Sequence, residues 1–178
     1  MLSPKQRENL YGKIAKLSKD FKMAVISAQE IDSRSDIGLN LNQLEALKIS
    51  ELIDELQPDV VYVDSPTSPD AKKFESMIRE NLFRQDLKIV SEHKADINYP
   101  VVSAASILAK VTRDEEIEII KKEIGADFGS GYPADPITKK FVKEHWENSL
   151  SKYIRKSWGT IKDLEKAKKQ KTLAAFED

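Results

Sequence analysis

Leu87-Lys88-Ile89-Val90, then His93-Lys94-Ala95-Asp96-Ile97-Asn98-Tyr99-Pro100, then Val101-Val102-Ser103-Ala104-Ala105-Ser106-Ile107-Leu108-Ala109-Lys110-Val111-Thr112-Arg113-Asp114: this stretch decides the fold. Its opening reads as a strand, its middle as a turn through Asp96, and its remainder as a helix rich in small residues. Small residues let another surface approach closely. Lys94, Lys110 and Arg113 surround that approach with positive charge, and Asp96 offers a carboxylate at the turn, a pairing suited to a hard cation beside a phosphate. The same residues also fit a close-packed helix start with Asp96 as a nearby cap.

A second acidic position lies upstream. Asp59-Val60-Val61-Tyr62-Val63-Asp64 is apolar on consecutive residues between two acids, which predicts a strand covered on both faces with Asp64 at its exit. A helix predicted over 70–82, with Phe74, Met77 and Ile78 inward, returns the chain to the strand before Asp96. Strands joined by such a crossover are neighbours, so Asp64 and Asp96 meet at the sheet edge where ligands of open α/β sheets collect.

Further outward, Ser3 caps a helix that Pro4 begins, with Leu10, Ile14 and Leu17 on its apolar side. Residues 23–27 read as a short strand, whose continuation over 28–32 leads to a polar loop ending near Gly38. Asn40 or Asn42 caps the next helix, whose apolar face holds Leu44, Leu47, Ile49, Leu52, Ile53 and Leu56 until Pro58 stops it. After the central helix, Gly129-Ser130-Gly131-Tyr132-Pro133-Ala134-Asp135-Pro136 is a rigid loop presenting one aromatic ring. A helix over 137–146, a basic and aromatic turn over 154–160 and a charged helix lead to the tail. The alternation predicts a layered α/β fold with a core over 1–128 and a C-terminal loop and helical region over 129–178.

The chain of 178 residues can bury a sizeable core, and its net charge of -1, from 29 basic and 30 acidic residues, leaves nucleic-acid binding to local patches. The absence of cysteine excludes a thiolate metal site and a cysteine nucleophile and fits a reducing cytoplasm, where the protein is expected. No apolar run has the length of a membrane span, and the N-terminus has no signal-peptide core, so no membrane partner is expected.

Paired carboxylates at one sheet edge can hold Mg²⁺ or Mn²⁺, with water and phosphate oxygens completing the shell. That is the start of a phosphodiesterase site in which metal ions activate water and stabilise the leaving oxygen. The alternative is two unrelated acids at strand ends.

Val61-Tyr62-Val63-Asp64-Ser65-Pro66, the whole His93–Asp114 stretch and Gly129-Ser130-Gly131-Tyr132-Pro133-Ala134-Asp135-Pro136 resemble ribonuclease HII in its archaeal form. The resemblance extends to Leu2-Ser3-Pro4-Lys5 and Arg155-Lys156-Ser157-Trp158. It implies a ribonuclease-H-like fold and an endonuclease that cuts the RNA strand of RNA–DNA hybrids and single ribonucleotides in duplex DNA. It further implies divalent ions held by four carboxylates. Asp64 and Asp96 match two of these as metal-holding catalytic residues, and Tyr132 matches the tyrosine that packs on the sugar at the ribonucleotide junction.

The sequence departs from the family at the other two ligands, an adjacent Asp-Glu in an opening strand followed by Gly-Arg-Gly. Asp54-Glu55 and Asp114-Glu115 are the Asp-Glu pairs present, and both fall in predicted helices. Without the opening strands the fold is expected to be incomplete, with a gap at the centre of its sheet, weak metal binding and poor solubility. An internal or misassigned start, or a truncated gene, accounts for that pattern.

Lys94, Lys110, Arg113 and Ser103 are the expected substrate contacts, against solvated lysines and helix packing as the plain alternatives. His93 beside Asp96 fits a structural role better than a general base. Trp158 suits base stacking and helix packing equally. Gln170, Leu173 and Phe176 resemble a sliding-clamp binding box, although Glu177 stands where the box has a second aromatic. Two functions follow: a metal-dependent hybrid endoribonuclease, or an inactive truncated copy that binds nucleic acid or a clamp.

Overall fold

The computed structural model describes residues 2–66 and 70–174. Helix α1 (Pro4–Leu17) starts at a capping box in which Gln6 N–H donates to Ser3 Oγ and Ser3 N–H to Gln6 Oε1. Helix α2 (Ala28–Ser33) runs into a 3-10 turn, Arg34–Ile37, and α3 (Leu41–Leu56) follows. Asn40 is the cap of α3, paired reciprocally with Gln43, and Gln57 in the left-handed region ends the helix before Pro58. Strand β1 (Val60–Asp64), helix α4 (Ala71–Arg79) and strand β2 (Lys88–Glu92) form the expected crossover. The strands pair in parallel, Val60 opposite Lys88 through Asp64 opposite Glu92. A one-turn helix α5 (Ala95–Asn98) then leads into α6 (Pro100–Ile124), α7 (Pro136–His145), a 3-10 turn Ser149–Tyr153, and α8 (Gly159–Ala174).

The chain divides into two compact units. The first, Met1–Val25 with Gly38–Arg113, is built on Ala46 and Ile53 of α3, Val63 of β1, Phe74 and Ile78 of α4, and Leu82, Leu87 and Ile89. The second, Ile26–Ile37 with Asp114–Asp178, has Val142, Ile154 and Ile161 at its centre, with Phe141, Trp146, Trp158 and Leu164 packed around them. Trp158 therefore serves as a packing anchor there. In the same unit the Asp32 carboxylate accepts the N–H groups of Lys156 and Ser157 at 2.6 and 3.0 Å, fixing the basic turn.

Four local expectations are corrected. Residues 23–27 form no strand and Val25 is 63 % exposed, because no strand among the described residues lies beside them to complete a ladder. Residues 28–33 are helical because Ser27 Oγ accepts the Glu30 N–H at 3.1 Å, a cap hidden in a polar stretch. The β1 strand is covered on one face: Val63 is buried and Val61 packs on the core, while Val60 and Tyr62 are exposed. Asp96 sits within α5 rather than at a strand end, since β2 continues to Glu92 before the chain turns.

Candidate active site

Asp64 is the last residue of β1, and strand alternation puts it on the open face with Val60 and Tyr62. Its Oδ1 accepts the main-chain N–H of Ala95 at 3.1 Å. Ala95 is fully buried and opens α5, so the half-buried Asp96 follows directly on the residue bound to Asp64. Asp64, at the carboxyl end of β1, is thus bound to the first residue of α5, and Asp96 is the next residue of that helix.

The turn that achieves this is unusual in its backbone. Lys94 precedes α5 with φ +59°, in the left-handed region, and gives the helix no side-chain cap. His93 Nδ1 lies 3.3 Å from the Ser65 carbonyl, the geometry of an imidazole N–H donating to the chain as it leaves β1. His93 accordingly ties the two strand exits together.

Ser103 Oγ donates to the Asp96 carbonyl, joining the start of α6 to α5. Ser103, Ser106, Lys110 and Arg113 are spaced to share one face of α6. That face runs for about 15 Å at the usual helical rise. Lys110 Nζ donates to Ser106 Oγ at 3.0 Å on it. A polar and then positive stripe therefore leads away from Asp96.

Glu45 on α3 is an electrostatic neighbour of Asp64 that the sequence did not reveal. Burial, and then the charge of Asp64, pushes its carboxyl pKa up, so it lies within reach of Asp64's field. The available signal was an acid set directly between Leu44 and Ala46, both buried.

Among the described residues no group of three or more His, Cys, Asp or Glu is arranged to hold a metal ion. Asp54-Glu55 lies in α3 and Asp114-Glu115 in α6, so neither joins Asp64 and Asp96 as an Asp-Glu strand pair. The pair still has the donor chemistry of a hard divalent cation, because such ions accept one or two carboxylates and fill their remaining positions with water and phosphate oxygens.

In the second unit Tyr132 lies in the glycine-rich loop, 48 % exposed. Thr138, 3 % exposed, donates to the Phe128 carbonyl at 2.8 Å and accepts the Gly131 N–H at 3.0 Å. Asp135 receives Ser130 N–H, Ser130 Oγ–H and Ile137 N–H at 2.7, 2.6 and 2.9 Å. The loop holding Tyr132 is therefore closed from both sides. Gln170 lies on α8 and is exposed, and the backbone at Leu173 continues that helix, while Phe176 falls outside the described residues.

Residues 1–161 match the family model described as Ribonuclease HII. Ribonuclease HII of Pyrococcus furiosus is 46% identical over 183 residues, covering 98% of this chain and 79% of that protein. The crystal structure of ribonuclease H2 from Pyrococcus horikoshii OT3 superposes with a TM-score of 0.79 at 38% identity, over 94% of this chain and 78% of that one. The PCNA:RNase HII complex from Archaeoglobus fulgidus contains a chain with a TM-score of 0.76 at 38% identity, over 88% of this chain and 75% of that one. The fold is thus the ribonuclease-H-like α/β fold, and the chain belongs to the ribonuclease HII family of ribonuclease H hydrolases.

Proposed function

We propose that the chain hydrolyses the RNA strand of RNA–DNA hybrids, and ribonucleotides embedded in duplex DNA, in the cytoplasm and with a divalent cation, Mg²⁺ or Mn²⁺. The observation that carries this is the Asp64–Ala95 hydrogen bond, which sets Asp96 next to Asp64. Asp64 and Asp96 are the residues that hold the cation. When bound, it supplies charge stabilisation at the scissile phosphate and activates the attacking water. Hydrolysis then adds the water's hydroxyl to phosphorus and passes a proton to the leaving sugar oxygen.

The remaining roles follow from charge and shape. Lys94, Lys110 and Arg113 contact phosphates, Ser103 holds the Asp96 turn to α6, and Tyr132 packs on a sugar at the junction. A sliding clamp is the second partner. The Archaeoglobus relative's structure is described as its complex with PCNA, and Gln170, Leu173 and Phe176 have the spacing of a clamp box.

A labelled RNA–DNA duplex incubated with the wild-type chain, Asp64→Asn and Asp96→Asn, with Mg²⁺ or Mn²⁺ and with a chelator, tests the reading. Cleavage by the wild type alone, abolished by the chelator, is expected. A wild-type chain that retains the duplex yet leaves it uncut at every metal concentration replaces this reading with a binding module.

A further inference from the structure

Asp64 and Glu92 end neighbouring strands and are register partners. Each sends its carboxylate to a different end of α5. Asp64 takes the N–H of Ala95 at the helix start, at 3.1 Å. Glu92 takes the far end: its Oε1 accepts Tyr99 Oη–H at 2.6 Å and its Oε2 accepts Asn98 Nδ2–H at 3.2 Å. Asn98 is the last residue of α5 and Tyr99 is its C-cap. The Tyr99 ring also stacks on Tyr62 of β1, with centroids 4.7 Å apart and planes at 37°.

These ties are needed because α5 cannot hold itself. It spans four residues, it has no side-chain N-cap, and a single turn lies below the length at which a helix propagates. Its backbone is closed by the Ile97 N–H to Lys94 carbonyl bond at 3.0 Å and the Tyr99 N–H to Ala95 carbonyl bond at 2.9 Å. Asp96, the second residue of α5, is therefore located by what grips the two ends, together with the Ser103 hydroxyl that donates to its carbonyl. The bond to Glu92 also pushes the Tyr99 phenol pKa above its ordinary value.

We propose that Glu92 and Tyr99 are positioning residues: their hydrogen bond fixes the one-turn helix that sets Asp96 beside Asp64, and so governs how tightly the pair holds a divalent cation. Neither side chain needs to touch the cation. The proposal rests on Asp64 and Asp96 being the metal-holding pair, and partners of this kind typically change metal affinity by about 10–100-fold when removed.

The test measures direct Mn²⁺ binding to the full chain, by the loss of the free-ion electron paramagnetic resonance signal. It compares the wild type with Tyr99→Phe, Glu92→Ala and Glu92→Gln. Tyr99→Phe keeps the ring on Tyr62, and Glu92→Gln keeps an oxygen to accept the phenol, so both retain the packing. A drop in Mn²⁺ affinity of about tenfold is expected for Tyr99→Phe and Glu92→Ala, with Glu92→Gln close to the wild type. In metal-free protein, the amides of residues 95–98 should exchange with deuterium faster in the two weakened variants, while helices elsewhere keep their protection. Wild-type affinity, or unchanged exchange at 95–98, in both Tyr99→Phe and Glu92→Ala overturns the proposal. An Asp96→Asn control separates this from its premise: Mn²⁺ binding that is absent in the wild type, or indifferent to Asp96→Asn, removes the metal-holding pair itself and the positioning role with it.

Discussion

Asp135 occupies the space that a side chain at Gly129 would need: a β-carbon there would lie 2.6 Å from Asp135 Oδ2 and 3.0 Å from Ile137 Cβ. Gly129 also has φ +76°, in the left-handed region. Gly129→Ala therefore combines backbone strain with a collision that breaks the Ser130–Asp135 hydrogen bonds. The expected loss is about 2 kcal/mol or more in urea unfolding. Gly125 is the control, because its φ is +66° but no atom of the described residues lies within 4 Å of a β-carbon. Gly125→Ala should cost only about 1 kcal/mol. Equal losses at the two glycines would show that Asp135 does not fill this space in solution.

The Ser130 hydroxyl and N–H, with Ile137 N–H, hold the Asp135 carboxyl at a pKa of about 2, below its ordinary 3.8. A carboxylate whose pKa falls on folding contributes stability above its unfolded pKa, and that contribution fades as pH drops from about 4 towards 2. Asp135→Asn should accordingly melt at a lower temperature than the wild type at pH 7. The gap should narrow below pH 4, as calorimetry across that range would show. A gap independent of pH would assign the effect to shape rather than charge.

Much of the first unit was legible because its signals are local. The apolar spacing from Leu44 to Leu56, the Pro58 stop, and Phe74 with Ile78 on one face of α4 all appear as expected. The pairing of β1 with β2 followed from the helical crossover between them. What was not legible depends on partners distant in sequence. Residues 23–27 have strand composition, but a strand exists only when something completes its ladder. Consecutive apolar residues at 60–63 promised two covered faces, yet which faces are covered is decided by the helices that pack there, and one face of β1 meets solvent at Tyr62. In the site, Asp64 and Asp96 stood out from their chemistry. Glu45 and Glu92 did not, because each gains meaning only from its spatial neighbours, Asp64 in one case and Tyr99 in the other.

Phe74 has 0 % exposure and sits among Ile78, Leu82, Leu87 and Ile89, the residues that hold α4 beneath the sheet. Phe74→Ala removes a ring from packing that cannot fully close around the void. The expected cost is about 3–5 kcal/mol, seen as a lowered urea midpoint. Because β1 and β2 rest on this cluster, the variant should also lose Mn²⁺ binding in proportion to the fraction unfolded. Binding that falls while the chain stays folded would instead mean that Phe74 shapes the site directly.

Lys94 carries two expectations of opposite sign. Its φ of +59° is costly for a side chain with a β-carbon, so Lys94→Gly should relieve strain and raise stability by about 1 kcal/mol. The same change deletes a cation two residues from Asp96. Affinity for an RNA–DNA duplex should then fall, and the slope of log affinity against log salt should flatten by about one unit, the signature of a lost phosphate contact. Lys94→Ala separates the effects, since it deletes the charge while keeping the strained β-carbon. It should show the same flattened slope without the gain in stability. An unchanged slope in both variants would remove Lys94 from the phosphate contacts and leave it only the task of turning the chain into α5.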